Sequence, residues 1–192
     1  GLDMADLFQT GVANTTNVSF AKSGKDYSSR ISFTNSQRDG IQQNSEAVRR
    51  FLAVKTAFKP ADWMNVSLDY KYTYRFNHNG AQEGYGGSRN VMHEYLQWGQ
   101  TQVDLKDYKD YLRPDGSWRT WNVKSPTNFA ANFHDNPYAL FDKANVNSTY
   151  RWNVFTGNVQ FLLPYNLKAG VNVIGNMRAH ESESKYADGS IN

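Results

Sequence analysis

The sequence predicts an all-β fold whose antiparallel strands form part of a transmembrane β-barrel. Three observations predict it: long segments in which apolar and polar residues alternate, connections that alternate between short and long, and a composition with 15% aromatic and 39% hydrophobic residues. Soluble domains usually contain about 45–50% hydrophobic residues, whereas a barrel strand needs an apolar residue only at every second position. No stretch approaches the ~18 consecutive apolar residues of a membrane-spanning helix.

The clearest strand is the segment from Trp63 to Phe76. Its even-numbered residues from Met64 onward are apolar or aromatic, and its odd-numbered residues from Asn65 to Arg75 are polar. A repeat of two residues is the period of a β-strand with one apolar face. At ~3.3 Å per residue, the segment is long enough to cross a bilayer at the ~40° tilt of barrel strands.

The same alternation predicts six strands, near residues 16–22, 26–36, 47–58, 63–76, 146–163 and 167–180. The intervening connections are alternately short and long. Because outer-membrane barrels have short periplasmic turns and long outer loops, residues 77–143 are predicted to form one long extracellular loop. Trp152 and Val154 are out of phase with the rest of their strand, which predicts either a β-bulge or aromatic packing inside the lumen.

Aromatic residues lie near both ends of the predicted strands. Those beside the short turns are Phe58, Trp63 and Tyr165, and those beside the long loop are Tyr72, Tyr74, Phe76 and Tyr150. Two such groups are typical of the interfacial girdles of a membrane barrel. The alternative is the ordinary preference of aromatic residues for strands.

The polar face of the strands is predicted to line the barrel lumen. Its candidate residues are Asp69, Lys71, Arg75, Asn158, Gln160, Asn172, Asn176 and Arg178. The long loop supplies a second group of candidates, Tyr95, Trp98, Trp118 and Trp121, because aromatic rings stack on sugars. The alternative for this second group is packing of the loop on itself.

Residues for catalysis or metal binding do not form a recognisable pattern. The chain has no cysteine, its four histidines are not paired at metal-ligand spacing, and it has no Gly-x-Ser-x-Gly motif. We therefore expect no enzyme activity, no metal and no cofactor. Asp104, Asp107 and Asp110 predict the exposed face of a helix in preference to a cation site. The formal charge is +3 with basic residues scattered along the chain, so no nucleic-acid partner is expected.

Several short stretches, in their order along the chain, resemble one transporter family. They are Asp6–Gly11, Thr16–Phe20, Ser23–Tyr27, Arg30–Asn35, Asp39–Ile41, Arg49–Phe51, Asn136–Tyr138 and Val154–Val159. Together they are similar to the SusC/RagA family of TonB-dependent outer-membrane transporters of Bacteroidetes. The similarity lies in the part of that family where the chain leaves the plug and enters the barrel, and it covers nearly the whole sequence.

The resemblance implies a fold and a function. The six strands would be part of a barrel of about 22 strands in the bacterial outer membrane, with the plug domain and the TonB box absent from this chain. The expected function is TonB-dependent import of a nutrient, a glycan as the first expectation and a peptide as the other. The implied partners are a SusD-like surface lipoprotein, the TonB–ExbB–ExbD complex and the lipid bilayer. Lumen residues would then face the plug or the solute.

Two alternatives from other classes are left open by the residues themselves. A soluble or cell-surface β-sandwich that binds carbohydrate would bury the apolar face from Met64 to Phe76 against a second sheet. A β-sandwich glycosidase would need two carboxylates ~5–10 Å apart in a cleft, for which Asp69 and Glu94 are the candidates. We also expect the chain to start inside a longer protein, since residues 1–6 do not resemble a signal peptide.

Overall fold

The computed structural model describes residues 3–82, 85, 90–143, 145–185 and 190. Its elements in chain order are β1 (Val12–Ser23), β2 (Tyr27–Asp39), β3 (Glu46–Ala61), β4 (Met64–His78), α1 (Val91–Trp98), β5 (Val123–Ser125), β6 (Asn128–Ala131), α2 (Pro137–Lys143), β7 (Asn145–Leu162) and β8 (Lys168–Lys185). One sheet has the strand order β1-β2-β3-β4-β7-β8, and β5 pairs with β6 in a small second sheet. The predicted all-β, antiparallel class is confirmed.

The six long strands form an up-and-down sheet in which each strand pairs with the next long strand of the sequence. Their ends lie within five residues of the predicted ends. The described strands form an open sheet, because β1 and β8 each pair on one side only. Among the described residues, no helix combines the length and the hydrophobicity required to cross a membrane.

The pairing of β4 with β7 decides between the two explanations for Trp152 and Val154. The register runs without interruption from Met64 opposite Phe161 to His78 opposite Asn147, so there is no β-bulge in this ladder. Trp152 lies opposite Thr73 and Val154 opposite Lys71. Directly opposed residues of an antiparallel pair lie on the same face, so both side chains belong to the polar face.

The register also corrects the predicted aromatic girdle beside the long loop. Tyr150 lies opposite Arg75 on β4 and opposite His180 on β8. It therefore belongs to the polar face and is not part of an outward girdle. Tyr72, Tyr74 and Phe76 lie on the apolar face, as the alternation predicts.

The two faces of the sheet differ in chemistry and in shape. The apolar face carries exposed large side chains on most of its strands, among them Val18, Phe20, Phe33, Phe155, Val171 and Met177. Two surface hollows, of about 700 and 540 Å³, lie mainly on the polar face of β1 to β4. The sheet is therefore concave on its polar side, which is the curvature that places polar residues inside a barrel.

The long connection between β4 and β7 begins and ends at one point of the sheet. Asn79 has a φ of 44° and is buried. Its backbone N–H donates to the carbonyl of Val146 at 2.8 Å, and its Oδ1 accepts from the N–H of Val146 at 2.8 Å. This clamp holds the start of β7 beside the end of β4. The described residues of the connection, 79–82, 85 and 90–143, contain α1, α2, a 3₁₀ turn at Leu105–Tyr108 and the β5–β6 hairpin, so the predicted long loop has secondary structure of its own.

The turn between β7 and β8 holds a bulky residue in an unfavourable conformation. Tyr165 and Asn166 have φ angles of 61° and 60°, as a type I′ hairpin turn requires at both central positions. The N–H of Leu167 donates to the carbonyl of Pro164 at 3.4 Å, and the N–H of Leu163 donates to the carbonyl of Leu167 at 2.9 Å. Tyr165 is 96% exposed, so no contact within the described residues offsets its backbone strain.

We predict that Tyr165→Asn stabilises this turn. Asparagine tolerates the left-handed region, so the substitution removes roughly 1 kcal/mol of backbone strain. Hydrogen exchange of the Leu163 and Leu167 amides in detergent-solubilised full-length protein should become slower. Faster exchange would contradict the prediction and would show that the ring of Tyr165 makes a stabilising contact.

Candidate functional site

Three separate segments of the chain meet at the end of the sheet where the long connections lie, and we call this structure the loop cap. It consists of residues 3–9, residues 40–45 and the described part of the connection between β4 and β7, residues 79–82, 85 and 90–143. Its apolar core contains Leu7, Val91, Tyr95, Leu105, Tyr138 and Phe141, all of them buried. The core therefore draws residues from the first turn of the chain, from α1 and from α2.

Hydrogen bonds join the first of these segments to the other two. The N–H of Gln9 donates to the carbonyl of Ile41 at 2.7 Å, and Nε2 of Gln9 donates to the carbonyl of Gly40 at 3.0 Å. The hydroxyl of Tyr138 donates to the carbonyl of Asp6 at 3.0 Å. Residues around 6–11, 39–41 and 136–138 therefore lie together in the folded chain.

Asn136 organises the second half of the loop cap. Its side chain is fully buried. Its Oδ1 accepts from the N–H groups of Tyr138 at 2.8 Å and Ala139 at 3.3 Å, and its Nδ2 donates to the carbonyl of Tyr108 at 2.9 Å. Asn136 thus acts as the N-cap of α2, with Pro137 at the first helical position, where its missing N–H costs nothing. The amide also ties α2 to the 3₁₀ turn.

We predict that Asn136→Ala destabilises the loop cap by roughly 2–3 kcal/mol, because it removes a cap and leaves buried backbone groups without partners. Limited proteolysis of the full-length protein should cut within residues 90–143 faster, and the six-stranded sheet should stay intact. The matched control is Asn132→Ala, since Asn132 is an exposed asparagine in the same loop. Equal cleavage rates in the two variants would contradict the prediction.

The four aromatic residues predicted to touch substrate occupy different environments. Tyr95 is 2% and Trp118 is 7% exposed. For these two residues the burial favours the alternative, packing of the loop on itself. Trp121 is half-buried, and its Nε1 donates to the hydroxyl of Tyr95 at 3.0 Å. Trp98 is 50% exposed and remains available to a ligand.

Trp98 and Trp121 are linked through His134. The ring of Trp121 lies 5.4 Å from that of His134 with an angle of 11° between the planes, and the ring of Trp98 lies 6.2 Å from it at 29°. Phe133, the residue before His134, is exposed. The structure therefore brings together an indole–imidazole–indole group at the loop surface, and His134 is the member that the sequence pattern did not identify. Stacked rings of this kind offer flat faces to a sugar or to an apolar side chain.

A buried carboxyl group lies beside this aromatic group. Glu94 is 5% exposed, and its Oε1 lies 3.7 Å from Nδ1 of His134. Burial, and then the charge of Asp135, raise the pKa of Glu94 to about 8. Burial lowers the pKa of His134, with the nearby His93 adding to the effect. Both groups are therefore neutral at pH 7, and Oε2 of Glu94 has no hydrogen-bond partner in the described structure.

We predict that the stability of the loop cap falls with rising pH because of Glu94. A raised carboxyl pKa means that the folded form retains a proton that the unfolded form loses, so stability is lost between about pH 4.5 and pH 8. Glu94→Gln cannot ionise, and it should increase the free energy of local unfolding at pH 8 by a few kcal/mol while changing little at pH 4.5.

The measurement is the hydrogen-exchange protection of the Tyr138 and Ala139 amides in full-length protein across this pH range, corrected for intrinsic exchange. Glu46→Gln, an exposed glutamate at the start of β3, is the matched control. If wild type and Glu94→Gln lose protection equally as the pH rises, Glu94 is not the group responsible.

The acidic residues of the loop do not form the predicted helix face. Asp104 caps the 3₁₀ turn by accepting from the N–H of Lys106 at 3.0 Å, and Asp110 pairs with Arg119 at 3.4 Å. In the described part of the chain, no three histidine or acidic residues are grouped so that they could hold a metal ion. Asp69 lies nine residues before the end of β4, about 30 Å at ~3.3 Å per residue. Glu94 lies beyond that end, so the two carboxylates do not form a pair.

The residues predicted to line a lumen share the polar face. Asp69 pairs with Lys55 at 3.4 Å and with Lys71 at 3.7 Å. Further along the sheet, Nε1 of Trp152 donates to Oδ1 of Asn176 at 2.7 Å, and the guanidinium of Arg178 lies 4.4 Å from the centre of a Trp152 ring. The pairs Asn158–Asn172 and Gln160–Gly170 extend the same face toward the short turns. Arg75 lies at its other end, in the hollow of about 700 Å³.

No family model and no curated protein matches the sequence. Among solved structures, a chain described as "Pore forming protein" is similar at 12% identity, with a TM-score of 0.24, over 88% of this chain and 90% of that chain. This level of similarity carries no argument about fold or function. The class that the described structure defines is an open antiparallel sheet with an exposed apolar face, a concave polar face and a folded loop cap at one end.

Proposed function

We propose that this chain forms part of the barrel wall and outer loops of a TonB-dependent transporter of the SusC/RagA type. Such a transporter lies in the bacterial outer membrane and imports a nutrient, with a glycan as the first candidate and a peptide as the second. The observation that carries the proposal is the exposed apolar face of a sheet whose strands are long enough to cross a bilayer.

The height of the apolar face supports a membrane environment. Between Met64 and Tyr72 the rows of opposed residues on this face are mostly apolar or aromatic. Eight residues at ~3.3 Å span about 26 Å, or about 20 Å along the normal at a 40° tilt, which is close to the ~25 Å height of the apolar band of outer-membrane barrels.

Polar residues begin on this face where the band would end. Arg50 and Arg151 flank Tyr74 in the same row, with guanidinium carbons 5.6 and 6.0 Å from the centre of its ring. Arg151 also pairs with Glu181 at 2.9 Å. Charged side chains beside an aromatic residue suit the headgroup region better than the hydrocarbon core.

The opposite end of the sheet carries aromatic side chains suited to the other interface. Trp63 and Tyr165 lie at short turns and are exposed. The headgroup region of a membrane is a favourable environment for exposed Tyr and Trp side chains.

The loop cap supports the assignment of direction. Short turns face the periplasm and long loops face outward in outer-membrane barrels, which places the loop cap outside the cell. Substrate would be captured there beneath a SusD-like lipoprotein, with Trp98 and Trp121 as the candidate contacts. TonB–ExbB–ExbD would then supply energy through a plug and a TonB box, and the polar face would form part of the passage.

The proposal is tested by labelling single cysteines, which is feasible because the chain has none of its own. Leu68→Cys and Ser67→Cys place the thiol on the apolar and the polar face of neighbouring positions of β4. In intact outer membranes of cells that express the full-length protein without other cysteines, Leu68→Cys should not react with a water-soluble maleimide until the protein is denatured, because a thiol in hydrocarbon does not ionise to the reactive thiolate. Ser67→Cys should react with a small water-soluble maleimide in the same intact membranes.

The same cells give the control. Native protein should stay in the outer-membrane pellet until detergent is added and should migrate differently on gels before and after heating. Release as a soluble monomer, or reaction of both cysteines with the water-soluble reagent in intact membranes, would reject the transporter. Protection of Leu68→Cys in a soluble protein would favour the carbohydrate-binding β-sandwich, in which a second sheet covers that face.

A further inference from the structure

All but one of the carboxylates of the six-stranded sheet lie on one face, so the charge of the two faces differs. Within the paired parts of the strands, the register places on the polar face Arg30, Arg38, Arg49, Lys55, Lys71, Arg75, Lys168 and Arg178, and a single carboxylate, Asp69. Asp69 is already paired with Lys55 and Lys71. The other face carries the carboxylates Asp39, Glu46, Glu181 and Glu183, balanced there by Lys22, Arg50, Arg151 and Lys185. The small net charge of +3 therefore conceals a strongly positive concave surface.

This charge is most concentrated in the hollow of about 700 Å³ below the loop cap. Its lining includes Arg38, Arg49 and Arg75 together with Thr15, Ser36 and Asn77. Arg49 and Arg75 are directly opposed in the β3–β4 ladder. Adjacent strands lie ~4.8 Å apart, and like charges in direct opposition destabilise a sheet.

The three arginines have no partner that would offset this repulsion in the described chain. None of them has a carboxylate within 4.0 Å among the described residues. Neighbouring groups are neutral hydrogen-bonding side chains, such as Thr15 and Ser36, whose hydroxyls lie 2.9 Å apart. The hollow thus combines guanidinium groups, which bind oxyanions through paired N–H donors, with hydroxyl and amide groups that suit the rest of a polar solute.

We propose that this hollow binds the anionic groups of the transported solute, so that the cargo is an oxyanion-bearing molecule such as an acidic oligosaccharide. The inference rests on the transporter function proposed above and adds the charge of the cargo to it. A volume of about 700 Å³ lies within the ~300–1,000 Å³ range of small-molecule sites. The position below the loop cap puts the site on the path from the outer surface into the lumen.

The positive charge of the concave surface also attracts an anionic solute before the solute touches the protein. Like charges that line a groove focus the electrostatic potential and raise the local concentration of a counter-charged solute. Carboxylates confined to the other face do not weaken this effect inside the groove. An anionic solute would therefore be drawn past the aromatic group of the loop cap toward Arg49 and Arg75.

The test compares an acidic oligosaccharide with its own neutral form. Full-length protein in detergent is titrated calorimetrically with oligogalacturonate and with the fully methyl-esterified oligogalacturonate of equal length, and a sulfated oligosaccharide tests whether any oxyanion suffices. We expect the acid form to bind at least roughly tenfold more tightly than the ester. Its affinity should fall as the salt concentration rises, because screening weakens charge pairs.

Two variants distinguish binding at this site from a general effect of positive charge. Arg49→Gln combined with Arg75→Gln should reduce binding of the acid form by roughly tenfold or more and leave binding of the ester unchanged. Arg50→Gln removes a charge from the adjacent residue on the apolar face and should bind the acid form as the wild type does.

Several results would overturn the proposal. They are equal binding of acid and ester by the wild type, unchanged affinity in the double variant, or an equal loss in Arg50→Gln. A change in thermal stability without a change in anion binding would also overturn it, since the arginines would then face an acidic segment of the protein itself. Cysteine labelling keeps the two proposals separate: a water-accessible Ser67→Cys with no anion preference rejects only the anionic cargo.

Discussion

The separation of side chains by the two-residue period of the strands is the constraint on which the rest of the structure depends. Because the five ladders keep their register almost without interruption, the alternation within each strand puts residues of the same kind on the same face of the whole sheet. A shift of one residue in either ladder of β4 would place Lys71 and Arg75 beside the apolar side chains of the neighbouring strand. The apolar side chains of the other face thus fix the strand register in spite of the repulsion between the positive charges on the polar face.

The loop cap follows a different principle. It is held by contacts between residues that are far apart in sequence, such as Tyr138 with Asp6 and Asn136 with Tyr108. Hydrogen bonds between buried polar groups fix its geometry. Leaving a buried amide or carbonyl without a partner costs more free energy than a typical hydrogen bond contributes to stability. Glu94, His93 and His134 depart from this pattern, because Oε2 of Glu94, Nε2 of His93 and Nδ1 of His134 are buried without a hydrogen bond in the described structure. The cap therefore has a well-defined scaffold around one cluster of ionisable groups.

The sequence was informative where structure is local and uninformative where it depends on distant contacts. Alternation located the six strands, and it missed mainly their outer ends, such as Glu181 to Lys185, where pairing continues after the apolar residues stop. The burial of Tyr95 and Trp118, and the role of His134, depend on how α1 meets α2, and no periodicity records that. The basic residues are scattered along the sequence. Pairing of β3 with β4 places Arg49 directly opposite Arg75, and the sequence alone does not show this pairing.

The Asn79 clamp has a consequence for how such a protein can change. Since the segment between β4 and β7 leaves and rejoins the sheet through one residue pair, Asn79 and Val146, its length is not constrained by the distance between strand ends. The entropic cost of closing a longer segment rises only logarithmically. The segment between β4 and β7 can therefore be exchanged or enlarged during evolution while the six-stranded sheet keeps its strand pairing. The residues that recognise a ligand can then change faster than the residues of the sheet.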